Sequence, residues 1–265
     1  IRDKGVPVST LNKRLLNFSS LGFFVLAPVR TTKEGCCNGD DAIKEGIAIA
    51  KSSSEYLRSL PNEISVAASD NSDISAHNVY LSNVDYSLGV ALNGVDPFLH
   101  IAGSNRNGGA FNTYRLDNPI EPESVYSNES SSRTNYSHDV SSMVVTDDRK
   151  DTQCVAAGPH CEIFFDFNED NFQIWDKTQN SAPARLSTTS YPKVSYVHSG
   201  WYTEDKQVVL VHDELDEMDY GLNSTVRLFE LSDFGSPSLL STWTGPTGAI
   251  DHNGFVRGNR YYMSN

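Results

Sequence analysis

Ala76-His77-Asn78-Val79-Tyr80, Ser137-His138-Asp139-Val140, Val197-His198-Ser199-Gly200-Trp201 and Asp251-His252-Asn253-Gly254-Phe255 are four versions of one phrase. The steps between their histidines are 61, 60 and 54 residues. A period of that size marks units that stack in a row or around an axis. After each of the first three histidines the same events follow: an apolar strand, a polar turn, a second strand, another turn, then an aromatic-rich third strand. The second strands are predicted at Leu88 to Leu92, Ile163 to Phe167 and Val208 to Val211. The third strands are predicted at Phe111 to Asp117, Phe172 to Asp176 and Val226 to Leu231, each followed by a proline at Pro119, Pro183 or Pro237. Pro237 to Trp243 supplies a fourth, outer strand. Four short strands rich in Val, Ile, Phe, Tyr and Trp, separated by Gly, Asn, Asp and Pro, describe a propeller blade. A β-sandwich also has short strands, but it does not repeat one residue pattern at near-constant spacing.

The expected fold is therefore all-β: a β-propeller, complete or truncated, of four-stranded blades at about 71–130, 131–190, 191–245 and 246–265. The last unit stops at Arg260 to Asn265, within its second strand, so either the chain is incomplete or another segment closes the ring. Residues 1–70 fit the repeat poorly and read as an irregular N-terminal segment that packs on the propeller. Within it Ile43, Ile47, Ala50, Tyr56, Leu57 and Leu60 fall at near-helical spacing and predict a helix over 41–60. Leu21 to Val29 is the longest apolar run, broken by Gly22 and Pro28, and reads as a strand.

The chain has 265 residues, 38% of them hydrophobic, enough to bury a substantial core. Its net charge of −13 is the wrong sign for binding a phosphate backbone, so nucleic acid is not an expected partner. No run approaches the roughly 20 apolar residues of a membrane-spanning helix. Cys154 and Cys161 can close a short disulfide loop, and Cys36 with Cys37 completes an even set. Asn-X-Ser/Thr sequons stand at Asn17, Asn128, Asn135 and Asn223. Together these features favour an extracellular place, secreted or on the cell surface.

The order of motifs resembles the choice-of-anchor B family, surface proteins related to the LVIVD-repeat propellers. The resemblance is carried by Tyr136-Ser137-His138-Asp139, Asp151-Thr152-Gln153-Cys154, Cys161-Glu162-Ile163-Phe164, Asn168-Glu169-Asp170, Tyr191-Pro192, His198 to Asp205, Asp213 to Glu217 and Thr244-Gly245-Pro246 through Asn253. Ala76-His77-Asn78 and Gly108-Gly109 extend it upstream. The sequence departs from the family pattern at Ser199, where the family usually has Gln, and shows no clear family blade before Ser75. The resemblance implies a propeller at or outside the cell surface and implies no established reaction.

Equivalent positions in successive blades lie at one radius, so His77, His138, His198 and His252 are expected at one level near the axis, with Asp139 beside His138. Neutral imidazoles there suit a transition metal such as Zn, Cu, Fe or Ni. The competing reading is that each imidazole hydrogen-bonds backbone where blades meet. Asp213, Glu214, Asp216 and Glu217 crowd carboxylates beside a turn, where a hard cation such as Ca²⁺ relieves their repulsion, although a solvated acidic loop has the same composition. No Gly-X-Ser-X-Gly elbow and no phosphate loop occur. Three functions remain open: a non-enzymatic module binding a protein or glycan partner and stiffened by metal ions; a metalloenzyme, oxidoreductase or hydrolase, using the histidines; and a subunit of an oligomer or larger surface assembly.

Overall fold

The computed structural model describes residues 11–18 and 23–30, as backbone, and 76–85, 88, 90–118, 122–127, 136–155 and 158–264. The helix expected over 41–60, Cys36, Cys37, Asn128 and Asn135 lie outside them.

Four antiparallel four-stranded sheets make up the described chain. The first joins β3 (Asn78–Ser82), β6 (Phe98–Ala102), β7 (Asn112–Arg115) and β8 (Glu123–Ser127), with a small hairpin of β4 (Val84–Asp85) and β5 (Val90–Ala91) set between β3 and β6. The second runs through β9 (Asp139–Val145), β10 (Cys161–Phe167), β11 (Phe172–Asp176) and β12 (Ala184–Thr189), with a helical turn α1 (Arg149–Thr152) after β9. The third runs through β13 (Val197–Tyr202), β14 (Val208–Asp213), β15 (Thr225–Glu230) and β16 (Ser238–Thr244), and α2 (Asp216–Tyr220) links β14 to β15. The fourth draws on both ends of the chain, in the order β1 (Leu11–Phe18), β2 (Phe23–Arg30), β18 (Arg260–Met263), β17 (Gly254–Arg257). The C-terminal hairpin is thus joined by an N-terminal one, through Met263 opposite Arg30. Residues 23–30 overlap the strand expected at Leu21 to Val29, whereas 11–18 form a strand where an irregular segment was expected.

Leu88 to Leu92 is not the second strand of the first sheet. That place belongs to β6, whose Phe98, His100 and Ala102 are buried while Leu99 and Ile101 are less so; Leu88, Val90 and Leu92 are exposed, so the stretch itself packs no apolar face. The hydrophobic stretch was read as a strand because only neighbours in space distinguish the two.

The middle sheets explain their own sequences. Along β10, Ile163, Phe165 and Phe167 face one cluster with Val209, Val211, Phe172 and Phe229, while Phe164 faces another with Tyr80, Ala102 and Phe111. A strand alternates sides at every residue, so a strand covered on both faces reads as an unbroken apolar run. Along β14, Val209 and Val211 face the second sheet, and Leu210 turns to Val226 and Met263 toward the fourth. Each fully buried Phe adds about 1.5–3 kcal/mol of transfer free energy. Trp175 and Trp201 pack against the cluster between the first two sheets, whereas Trp243 lies exposed on β16.

Cys154 and Cys161 form a disulfide across a separation of 7 residues. Closing so short a loop restricts the unfolded chain by about 2–3 kcal/mol. The Cys154→Ser/Cys161→Ser double variant is expected to lose that much in urea unfolding. Among the described residues no helix is long and apolar enough to cross a membrane.

Candidate metal centre

The first strand of each sheet lies against the first strand of the next: β3 beside β9, β9 beside β13, β13 beside β17. The repeated histidines stand at the head of these strands. His77 and His138 each donate a backbone N–H to the carbonyl that ends the second strand of their own sheet, on Ala102 and Phe167, and His252 donates to Ser264, just past the end of β18. Equal backbone positions bring the side chains side by side. Ring centroids are 3.9 Å apart for His77 and His138, 4.5 Å for His138 and His198, and 4.1 Å for His198 and His252.

The residue after each histidine forms a second polar layer. Asp139 accepts hydrogen bonds from Asn78 of the first sheet and from Asn253 of the fourth, the latter at 2.9 Å. Ser199 donates to the His252 carbonyl at 2.8 Å. One carboxylate on the second sheet therefore meets side chains from both ends of the repeat, which requires the heads of the four sheets to converge. Burial pushes Asp139 up to about 7, opposed by the Val140 N–H, Asn253 and Asn78. Both its oxygens are occupied, so Asp139 ties sheets together rather than turning toward the imidazoles.

Two of the four imidazoles are buried, His138 and His198, while His77 and His252 are exposed. The His138 Nδ1 lies 3.2 Å from the His198 carbonyl oxygen. That oxygen only accepts, so Nδ1 carries the proton and Nε2 keeps its lone pair, the usual way a backbone carbonyl prepares a histidine ligand. Neither ring nitrogen of His198 has a hydrogen-bond partner. Burial, followed by the neighbouring His77, depresses His138 to about 4. Burial, followed by His252 and His138, depresses His198 to about 2. Both are neutral at physiological pH, the state a metal requires.

Glu214 completes the cluster. Its backbone N–H donates to the Tyr196 carbonyl at 2.9 Å, which holds the loop after β14 over the histidines. Its carboxylate oxygens lie 3.6 Å from His198 Nε2 and 3.9 Å from His252 Nε2. These spacings exceed a hydrogen bond, about 2.7–3.2 Å, and approach the separation of about 3.3–3.5 Å between two ligands about 2.0–2.1 Å from one tetrahedral ion. His138, His198 and Glu214 each offer an atom within 4.8 Å of the others. His252 is exposed and Glu214 is 29% exposed, so an ion here would keep a position open toward solvent.

No protein-family model matches this chain, and no curated protein does.

The acidic run after β14 is not one cluster. Asp213 is fully buried and accepts from Tyr191 Oη at 3.0 Å, Ser195 N at 2.8 Å, Tyr196 N at 2.7 Å and Leu215 N at 3.4 Å. Its oxygens are spent on fixing that loop. Glu214 turns to the imidazoles. Asp216 and Glu217 turn inward on α2, where Gly221 ends the turn at a left-handed φ of 64° and Asp216 pairs with Arg227. Alternating directions along a tight turn separate what the sequence places together. Asn223 is exposed and donates to the Gly245 carbonyl; Asn17 lies in β1.

Sequence reasoning missed two further histidines. His100 on β6 and His212 on β14 are fully buried on second strands. His100 is held by Ser82 at 2.9 Å and Thr113 at 3.1 Å, and His212 by Ser199 at 3.1 Å and by Tyr261. They belong to the interior network, outside the repeated phrase, and only tertiary structure reveals them.

Proposed function

We propose that this chain is an extracellular β-propeller whose four His-led strands surround a common axis and bind one divalent transition-metal ion there, on His138, His198 and Glu214 with His77 and His252 at the rim. The observation that carries the reading is the unbroken row of four imidazoles, with the unpartnered Nε2 of buried His198 3.6 Å from the Glu214 carboxylate. A buried polar ring nitrogen without a partner is costly, and a metal ion relieves that cost. The contact of each first strand with the next and the reach of Asn253 to Asp139 support the propeller. The resemblance to choice-of-anchor B proteins, the sequons and the disulfide support a place outside the cell. The solvent-facing rim favours the metal-centred reading over a purely structural ring, since an ion with an open position polarises a bound molecule as a Lewis acid.

The test is metal analysis of the full chain after exposure to Zn²⁺ or Cu²⁺ and removal of excess. One equivalent per chain is expected for the wild type. His198→Ala and Glu214→Gln are each expected to weaken binding by more than the roughly 10–100-fold that loss of a supporting partner causes. Wild-type protein without retained metal, or both variants with unchanged affinity, overturns the reading.

A further inference from the structure

A second cation site is built where the third and fourth sheets meet. Asp216 and Glu217 begin the α2 turn of the third sheet, and Asp251 lies on the segment leading into β17 of the fourth. One oxygen from each lies within 4.8 Å of the others. Asp216 and Asp251 have no exposed surface and Glu217 is 8% exposed. Three carboxylates thus share an interior volume with one cation, the Arg227 guanidinium, which engages one oxygen of Asp216.

The other five oxygens, Asp216 Oδ1, both of Glu217 and both of Asp251, meet no donor outside the triad, and Asp251 and Glu217 can bond each other only through a shared proton. The contrast with Asp213, three residues before Asp216 and surrounded by four donors, shows that this fold supplies N–H and O–H groups where a buried carboxylate is to stand alone. At the triad it supplies only the Arg227 guanidinium, on one oxygen of Asp216. Asp251 decides the matter, because it comes from a different sheet, is wholly buried, and brings an unpartnered oxygen within 4.8 Å of one from each of Asp216 and Glu217. Bare buried carboxylates are among the most expensive groups in a protein interior, and a hard cation with oxygens about 2.3–2.6 Å away satisfies several at once.

We propose that Asp216, Glu217 and Asp251 bind a calcium ion that fastens the C-terminal strands to the third sheet. The site is separate from the imidazole row: its donors are oxygen only, which suits Ca²⁺ and not the softer metals that histidines prefer. It also replaces the ligand set expected from the acidic run, losing Asp213 and Glu214 and gaining Asp251.

The experiment is thermal unfolding of the chelator-treated full chain with and without CaCl₂, beside equilibrium dialysis against calcium. One calcium per chain and a midpoint raised by about 5 °C or more at saturation are expected. Asp251→Asn, close in shape and uncharged, is expected to abolish the calcium shift; should that variant not fold, Glu217→Gln serves in its place. His198→Ala is expected to keep the shift in full, which separates this site from the imidazole centre. Failure of wild-type protein to bind calcium overturns the proposal, as does a full shift in the carboxylate variant or loss of the shift in His198→Ala.

Discussion

Gly200→Ala is expected to destabilise the chain by about 3 kcal/mol, the upper end of what overpacking a tight interior costs. A Cβ at this position would stand 2.5 Å from the Phe167 ring and 2.7 Å from the Leu210 carbonyl oxygen. The ring belongs to β10 of the second sheet, and the oxygen to β14, the strand paired with β13 beside Gly200 opposite Val211. A side chain is able to swing away, but the carbonyl oxygen moves only if the β13 and β14 ladder moves. Trimming the ring with Phe167→Leu is therefore expected to leave most of the defect in place. Urea unfolding of Gly200→Ala and of the double variant measures both quantities. Full recovery in the double variant would assign the strain to the ring instead of the strand.

Asp166→Asn is expected to flatten the dependence of stability on pH between about 4 and 8. Asp166 is buried on β10, facing Ser137, and one of its oxygens lacks a partner. Burial raises it to about 8, opposed by the Ser137 hydrogen bond and by Arg185. The folded chain then holds a proton that the unfolded chain has released above its usual value near 3.8. With more protons bound to the folded state, stability falls as pH rises. A rise of about four units corresponds to a loss on the order of 5 kcal/mol by pH 8. The asparagine amide stands in for the protonated acid at every pH, so this loss disappears. The relevant quantity is the slope of unfolding free energy against pH, because the amide itself shifts the offset. Equal slopes in the two proteins would show that Asp166 is ionised in the fold.

Much of the architecture was legible because the repeat is local. Phe172 to Asp176 is a strand as expected, and Ile163 to Phe167 and Val208 to Val211 lie within β10 and β14. The four histidines were legible as one set because equal spacing in a repeat becomes equal position in space. The failures share a cause. Leu88 to Leu92 looks like a strand until β6 takes its place, and the Asp213 to Asp219 run looks like one site until backbone donors capture Asp213. Lys177, fully buried, with its ammonium 5.0 Å from the Phe111 and Phe164 ring centres and bonded to Thr113 at 2.6 Å, has no sequence signal. Asp251 stands in the repeated phrase, but its approach to Asp216 and Glu217 on another sheet has none. Long-range pairing of single polar residues is invisible to periodicity.

Crystals of the full chain grown with one equivalent of Zn²⁺, measured across the zinc absorption edge, put the proposed axial metal site to the most direct test. One anomalous peak is expected about 2.0–2.2 Å from a nitrogen of His138, a nitrogen of His198 and an oxygen of Glu214. A peak remote from these three residues, or imidazoles in the row with no peak between them, would contradict it.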